Sequence, residues 1–98
     1  RNHSLPAARE AYAMRLAENG KYEDALPILR EIRRMQRETP RLADARKTAL
    51  EKLAAATFAA GKLGDCEEYC AELLRDFPDN QTAVEFRKKI TIVRKPKV

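Results

Sequence analysis

Asn19-Gly20-Lys21-Tyr22-Glu23-Asp24-Ala25 is echoed by Ala60-Gly61-Lys62-Leu63-Gly64-Asp65-Cys66. Each copy sets Gly-Lys before an aromatic or aliphatic residue, then acidic residues, then a small residue that opens a new apolar stripe. Glycine accepts the left-handed conformation that closes a helix, and acidic side chains suit the positive start of the next one. The phrase recurs between amphipathic stretches, which predicts a protein built from repeated helix pairs. Such proteins display surfaces and rarely carry out chemistry.

Outward from the first copy, Leu5, Ala8, Tyr12, Ala13 and Leu16 fall at three- and four-residue steps. The spacing predicts a helix over about 5–18, with Ser4 as N-cap and Pro6 in the first turn. Ala25, Leu26, Leu29, Ile32 and Met35 form the inner stripe of a second helix over about 22–38. Pro27 should bend it mildly, and Thr39-Pro40 should stop it, because a residue before proline disfavours the helical conformation. A third helix, about 41–60, carries Leu42, Ala45, Ala49, Leu50, Leu53, Ala54, Thr57 and Phe58 in a wide, alanine-rich stripe. The fourth, about 65–76, turns Cys66, Tyr69, Cys70, Leu73 and Leu74 inward. Asp79-Asn80 follows Phe77-Pro78 and can cap a fifth helix with Ala83, Phe86, Arg87 and Ile90 on its inner edge. Residues 91–98 read as an extended or disordered basic tail. The fold class is all-α, with about five helices.

Ninety-eight residues allow one core. No apolar run approaches the roughly 20 residues that span a bilayer, and no signal-peptide pattern is present. The chain opens on Arg1 rather than Met and reads as an excised domain or processed product. The net charge of +5 is concentrated at one end. Residues 1–78 hold 14 basic and 13 acidic side chains, whereas residues 79–98 hold six basic (Arg87, Lys88, Lys89, Arg94, Lys95, Lys97) and two acidic. A further basic cluster, from Arg30 through Arg33, Arg34, Arg37, Arg41 and Arg46 to Lys47, faces an acidic stretch from Asp65 to Asp79 in the sequence. Poles of opposite sign favour charged protein partners over a nucleic-acid footprint. Cys66 and Cys70, four apart, share a helix face and form neither a C-x-x-C motif nor a disulfide framework. Reduced, buried thiols point to a cytoplasmic setting.

Gly20-Lys21-Tyr22-Glu23-Asp24-Ala25, the small residues one helix earlier and Phe77-Pro78-Asp79-Asn80 at the far end resemble the tetratricopeptide repeat. In the first unit Tyr12, Ala13, Leu16, Gly20, Tyr22, Ala25 and Leu29 occupy the family's signature positions. In the second, Leu53, Ala54, Thr57, Gly61, Leu63, Cys66, Cys70 and Pro78 do so. The resemblance covers roughly residues 7–80 and implies a right-handed α-solenoid of antiparallel helix pairs: repeats at about 5–38 and 41–78, and a capping helix at about 79–90. The two glycine turns lie 41 positions apart, against a family period of 34. The extra seven residues, about two helical turns, should lengthen the second and third helices around Arg33–Arg46.

In that family the first helix of each pair lines the concave, ligand-binding face. The resemblance therefore implies a partner-binding groove with Glu10, Met14 and Glu18 from one unit, flanked by Ala7 and Ala17. Thr48, Glu51, Ala55 and Phe58 lie beside them. Met14 and Phe58 would supply an apolar floor and the three glutamates an acidic edge, which suits a peptide or helix carrying basic residues. The competing structural reading has Phe58 packing on a neighbouring helix. The lysine/asparagine clamp with which some members hold chaperone tails is absent.

No metal site is expected, since two cysteines are half a zinc set and His3 is the only histidine. No catalytic constellation, phosphate loop or cofactor motif is present, so neither an enzyme nor a cofactor is expected. The expected function is a non-enzymatic protein–protein interaction or scaffolding module, part of a larger protein or complex. The alternatives are nucleic-acid or anionic-membrane attachment through the basic C-terminal segment, and self-association as a homo-oligomer or within a longer array. No aromatic residue interleaves with the tail cations to stack on bases, which weighs against nucleic acid.

Overall fold

In the computed structural model, which describes residues 6–94, the chain forms five α-helices and, among the described residues, no strand. They are α1 (Pro6–Glu18), α2 (Tyr22–Arg34), α3 (Pro40–Ala59), α4 (Leu63–Asp76) and α5 (Gln81–Arg94). Ser4, Leu5 and the last four residues of the expected tail lie outside the described residues.

The two glycine turns close their helices as the sequence reading requires. At Gly20, with φ +77°, the Lys21 N–H donates to the Leu16 carbonyl at 2.8 Å and the Gly20 N–H to Ala17 at 3.0 Å. At Gly61, with φ +80°, Lys62 and Gly61 make the same pair of bonds to Thr57 and Phe58. This pairing is the Schellman closure, which satisfies carbonyls left over at a helix end.

A third copy of the closure sits where no glycine marks it. Gln36 takes φ +62°, the Arg37 N–H donates to the Ile32 carbonyl at 3.0 Å, and the Gln36 N–H donates to Arg33 at 2.9 Å. The second helix therefore ends at Arg34 rather than near Glu38, and Met35, expected inside, is half exposed. Thr39-Pro40 starts α3 instead of stopping α2. The Thr39 hydroxyl oxygen accepts the Leu42 N–H at 3.2 Å, and Pro40 fills the first helical position, where its missing N–H costs nothing. The extra length falls to α3, at 20 residues, and to the connection before it, while α2 has only 13. Pro27 sits inside an unbroken α2.

The chain divides into two compact units, Arg1–Ala49 and Leu50–Val98, the boundary falling within α3. In the first, α1 packs on α2, and Ala13 and Leu16 meet Ala25, Leu29 and Ile32 and, from α3, Leu42 and Ala45. Full burial of a leucine such as Leu29 contributes about 1.5–3 kcal/mol. Ala8 and Tyr12, expected on the inner stripe of α1, are exposed. Met14 and Ala17, partly buried, pack against the cluster instead.

In the second unit α4 packs on α5, burying Cys66, Cys70 and Leu73 together with Ala83 and Ile90, and α3 contributes Leu50, Leu53 and Ala54. Asn80 caps α5, its side-chain oxygen accepting the Ala83 N–H at 2.8 Å. Arg87, expected on the inner edge, is exposed. The helix continues through Thr91, Ile92, Val93 and Arg94, where an extended tail was expected. Thr91 donates its hydroxyl back to the Arg87 carbonyl at 3.0 Å, and Arg94 reaches Glu67 at 2.6 Å, so the end of α5 is fastened to α4.

Candidate functional site

Within the first unit, α1 and the start of α3 border an open pocket at the edge of the core, where Met14 and Leu42 meet both. Ala7, Glu10, Ala11, Met14, Arg15 and Glu18 recur at three- and four-residue steps and form one wall of this pocket of about 450 Å³. The opposite wall is the start of α3, with Thr39, Arg41 and Leu42. The Thr39 cap fixes that wall by setting where α3 begins.

A buried ion pair holds the connection that leads into it. Arg46, 1% exposed, donates from Nε to Glu38 Oε2 at 2.6 Å and from Nη2 to Oε1 at 3.3 Å. A two-pronged guanidinium–carboxylate contact fixes direction as well as distance. With Glu38 anchored, its neighbour Arg37 places Nε 3.6 Å from Glu10 Oε2, and Arg41 Nη2 lies 3.7 Å from Glu18 Oε2. Exposed pairs of this kind contribute about 0–1 kcal/mol each. Their consequence is electrostatic: both pocket glutamates already face an arginine. Arg15, exposed on the same wall, makes no ion pair among the described residues.

Of the expected partner-binding residues, Glu10, Met14 and Glu18 come together in this pocket, and Thr48, half-buried on α3, is not in its lining. Glu51, Ala55 and Phe58 belong to the second unit. There Glu51 Oε2 accepts a hydrogen bond from Asn80 Nδ2 at 2.6 Å, and the Phe58 ring lies 5.3 Å from that of Phe86. Glu51 and Phe58 thus join α3 to α5, the structural alternative for Phe58; Ala55 is exposed. Ala11, Arg15, Thr39, Arg41 and Leu42 line the pocket and were not expected there from the sequence. Arg15 was legible, standing four residues after Ala11 on the same helix face.

Elsewhere, Cys66 and Cys70 are buried and unbridged. Burial, reinforced by the neighbouring Cys66, pushes the Cys70 thiol from its ordinary 9.0 up to about 12, against an opposing pull from Arg87. A thiol held protonated is neither a good nucleophile nor a ready metal ligand. Among the described residues no group of three or more His, Cys, Asp or Glu side chains is placed to hold a metal ion, and no helix is long and apolar enough to cross a membrane. His3 lies outside the described residues. Of the basic C-terminal side chains, Arg94 pairs with Glu67 and Lys89 Nζ sits 5.4 Å from the Phe86 ring centre, while Arg87 and Lys88 are exposed. Comparison with protein-family models, with curated proteins and with solved structures finds no match to this chain.

Proposed function

We propose that this chain is a non-enzymatic protein–protein interaction or scaffolding module that holds a partner's peptide or helix against the pocket-lining face of α1. The single observation that carries the proposal is the open pocket between that face and the start of α3. Its apolar side chains, Met14, Leu42 and two alanines, are rimmed by charged groups, the usual make-up of a groove for an amphipathic segment. A two-repeat tetratricopeptide-like, right-handed solenoid capped by α5, in a cytoplasmic setting, belongs to the same proposal. It is supported by the repeated glycine closures and by the paired helices within each unit. The absence from the sequence of any catalytic constellation supports a binding role over an enzymatic one. Attachment through the basic C-terminal segment is the weaker reading, because Arg94 and Lys89 are engaged by Glu67 and Phe86.

The test uses peptides selected on the wild-type chain from a displayed library of helical peptides, with affinities then measured calorimetrically. Ala11→Gln fills the pocket from an exposed position, and Met14→Glu places a charge on its floor. Both should weaken binding at least about tenfold, a loss of roughly 1.4 kcal/mol. Phe58→Ala should leave the affinity unchanged. Wild-type affinity in both pocket variants would remove the pocket from the account.

A further inference from the structure

We propose that the segment held by this pocket is acidic: a carboxylate of the partner pairs with Arg15 while an adjacent apolar side chain rests on Met14 and Leu42. The inference rests on the pocket being a docking face and adds the chemistry of what docks. It reverses the partner implied by sequence alone, where three glutamates suggested a basic peptide.

The reversal follows from how the charges are paired. Glu10 and Glu18, the only carboxylates in the pocket lining among the described residues, face Arg37 and Arg41 at 3.6 and 3.7 Å. Glu51, the third expected glutamate, belongs to the other unit and accepts from Asn80. An incoming lysine or arginine would have to displace an arginine from a pocket glutamate before gaining a partner. An incoming carboxylate displaces nothing. Arg15 lies on the pocket wall with its donors unmatched by any carboxylate among the described residues. The guanidinium fork suits two-pronged carboxylate binding. Arg41, on the facing wall, is mostly exposed and stands close enough to the pocket to add to the same field. In the lining Arg15 and Arg41 balance Glu10 and Glu18, and Arg37, paired with Glu10 from beside the pocket, brings the neighbourhood to a surplus of one positive charge. Interfaces are selected for such complementarity, since a like charge opposite weakens binding.

The experiment is a selection from a displayed library of 15-residue helical peptides in which acidic and basic residues are equally frequent. Wild type, Arg15→Glu and Ala11→Gln serve as targets, each first shown by circular dichroism to be as helical as wild type. Peptides that bind wild type but not Ala11→Gln should carry Asp or Glu at a fixed spacing from an apolar anchor. They should bind Arg15→Glu at least about fivefold more weakly, and selection on Arg15→Glu should favour Lys or Arg at that position. Enrichment of Lys or Arg on wild type, or indifference to Arg15→Glu, would overturn the acidic assignment while leaving the docking face in place. Failure to recover any peptide sensitive to Ala11→Gln would overturn the docking face itself, and this inference with it.

Discussion

Replacing Glu38 by alanine tests the account of how the first unit holds its pocket wall. Arg46 is 1% exposed and donates to both carboxylate oxygens of Glu38, at 2.6 and 3.3 Å. Removing one partner of a buried ion pair costs about 3–5 kcal/mol, because a desolvated charge is left behind. Arg46 keeps further contacts, and the side chain of Glu38 is 17% exposed, so the loss should fall at or just below the lower end of that range, at about 2–3 kcal/mol. For a chain of 98 residues that is a fall in Tm of roughly 10–20 °C, or a decrease of about 1–2 M in the urea midpoint. The reciprocal variant, Arg46→Met, keeps an apolar stem in the cavity and leaves Glu38 near water, so it should cost only about 1 kcal/mol. Urea unfolding followed by far-ultraviolet circular dichroism measures both. Losses below about 0.5 kcal/mol for Glu38→Ala, or equal losses for the two variants, would refute the buried pair as the anchor of this connection.

Asn80→Ala removes both the α5 cap and the partner of Glu51, and should destabilise by about 1–2 kcal/mol in the same assay; no change would deny the cap its role. Gln36→Gly should stabilise by about 0.5–1 kcal/mol, since glutamine is held at φ +62° where glycine is unstrained, whereas Gly61→Ala at φ +80° should lose about 1 kcal/mol despite open space around it. A destabilising Gln36→Gly would contradict the third helix closure, and a neutral or stabilising Gly61→Ala would contradict the closure at Gly61. Cys70 should resist thiol reagents at pH 8 until the chain unfolds. Its folded-state value of about 12 lies above the ordinary 9.0, so the folded chain keeps a proton that the unfolded chain loses. That contribution to stability is complete below about pH 9 and declines as pH rises toward 12. Cys70→Ala should therefore flatten the fall in urea midpoint between pH 8 and 10.5, and an unaltered slope would count against the buried thiol as its source.

The helices were legible wherever a local signal was unambiguous. Gly20 and Gly61 announce their closures, and Asn80 announces the start of α5, because each effect is contained within a few residues. The end of α2 was not legible, since glutamine has no preference for positive φ and its placement at 36 follows from Ile32, Arg33 and the Glu38–Arg46 pair. Thr39-Pro40 carries two meanings, a stop for one helix or a cap and first residue for the next, and only tertiary packing chooses between them. Thr91-Ile92-Val93 has weak helical propensity, yet it is helical, following the buried Ile90 and ending on Arg94, which bonds to Glu67, 27 positions earlier. The candidate site divides the same way. The stripe of Glu10, Met14 and Glu18 follows from helical spacing, while the arginines that neutralise its glutamates arrive from the α2–α3 connection and the start of α3, at positions no local pattern specifies.

Amide chemical-shift mapping reads out whether the pocket-lining face of α1 and the start of α3 form the docking surface. A selected peptide is titrated into the isotopically labelled chain. The largest shifts are expected at Glu10, Ala11, Met14, Arg15, Glu18 and Arg41, with little change at Glu51, Phe58 or Phe86. Shifts concentrated on Phe58, Phe86 and the exposed residues of α5, with α1 silent, would contradict this docking surface.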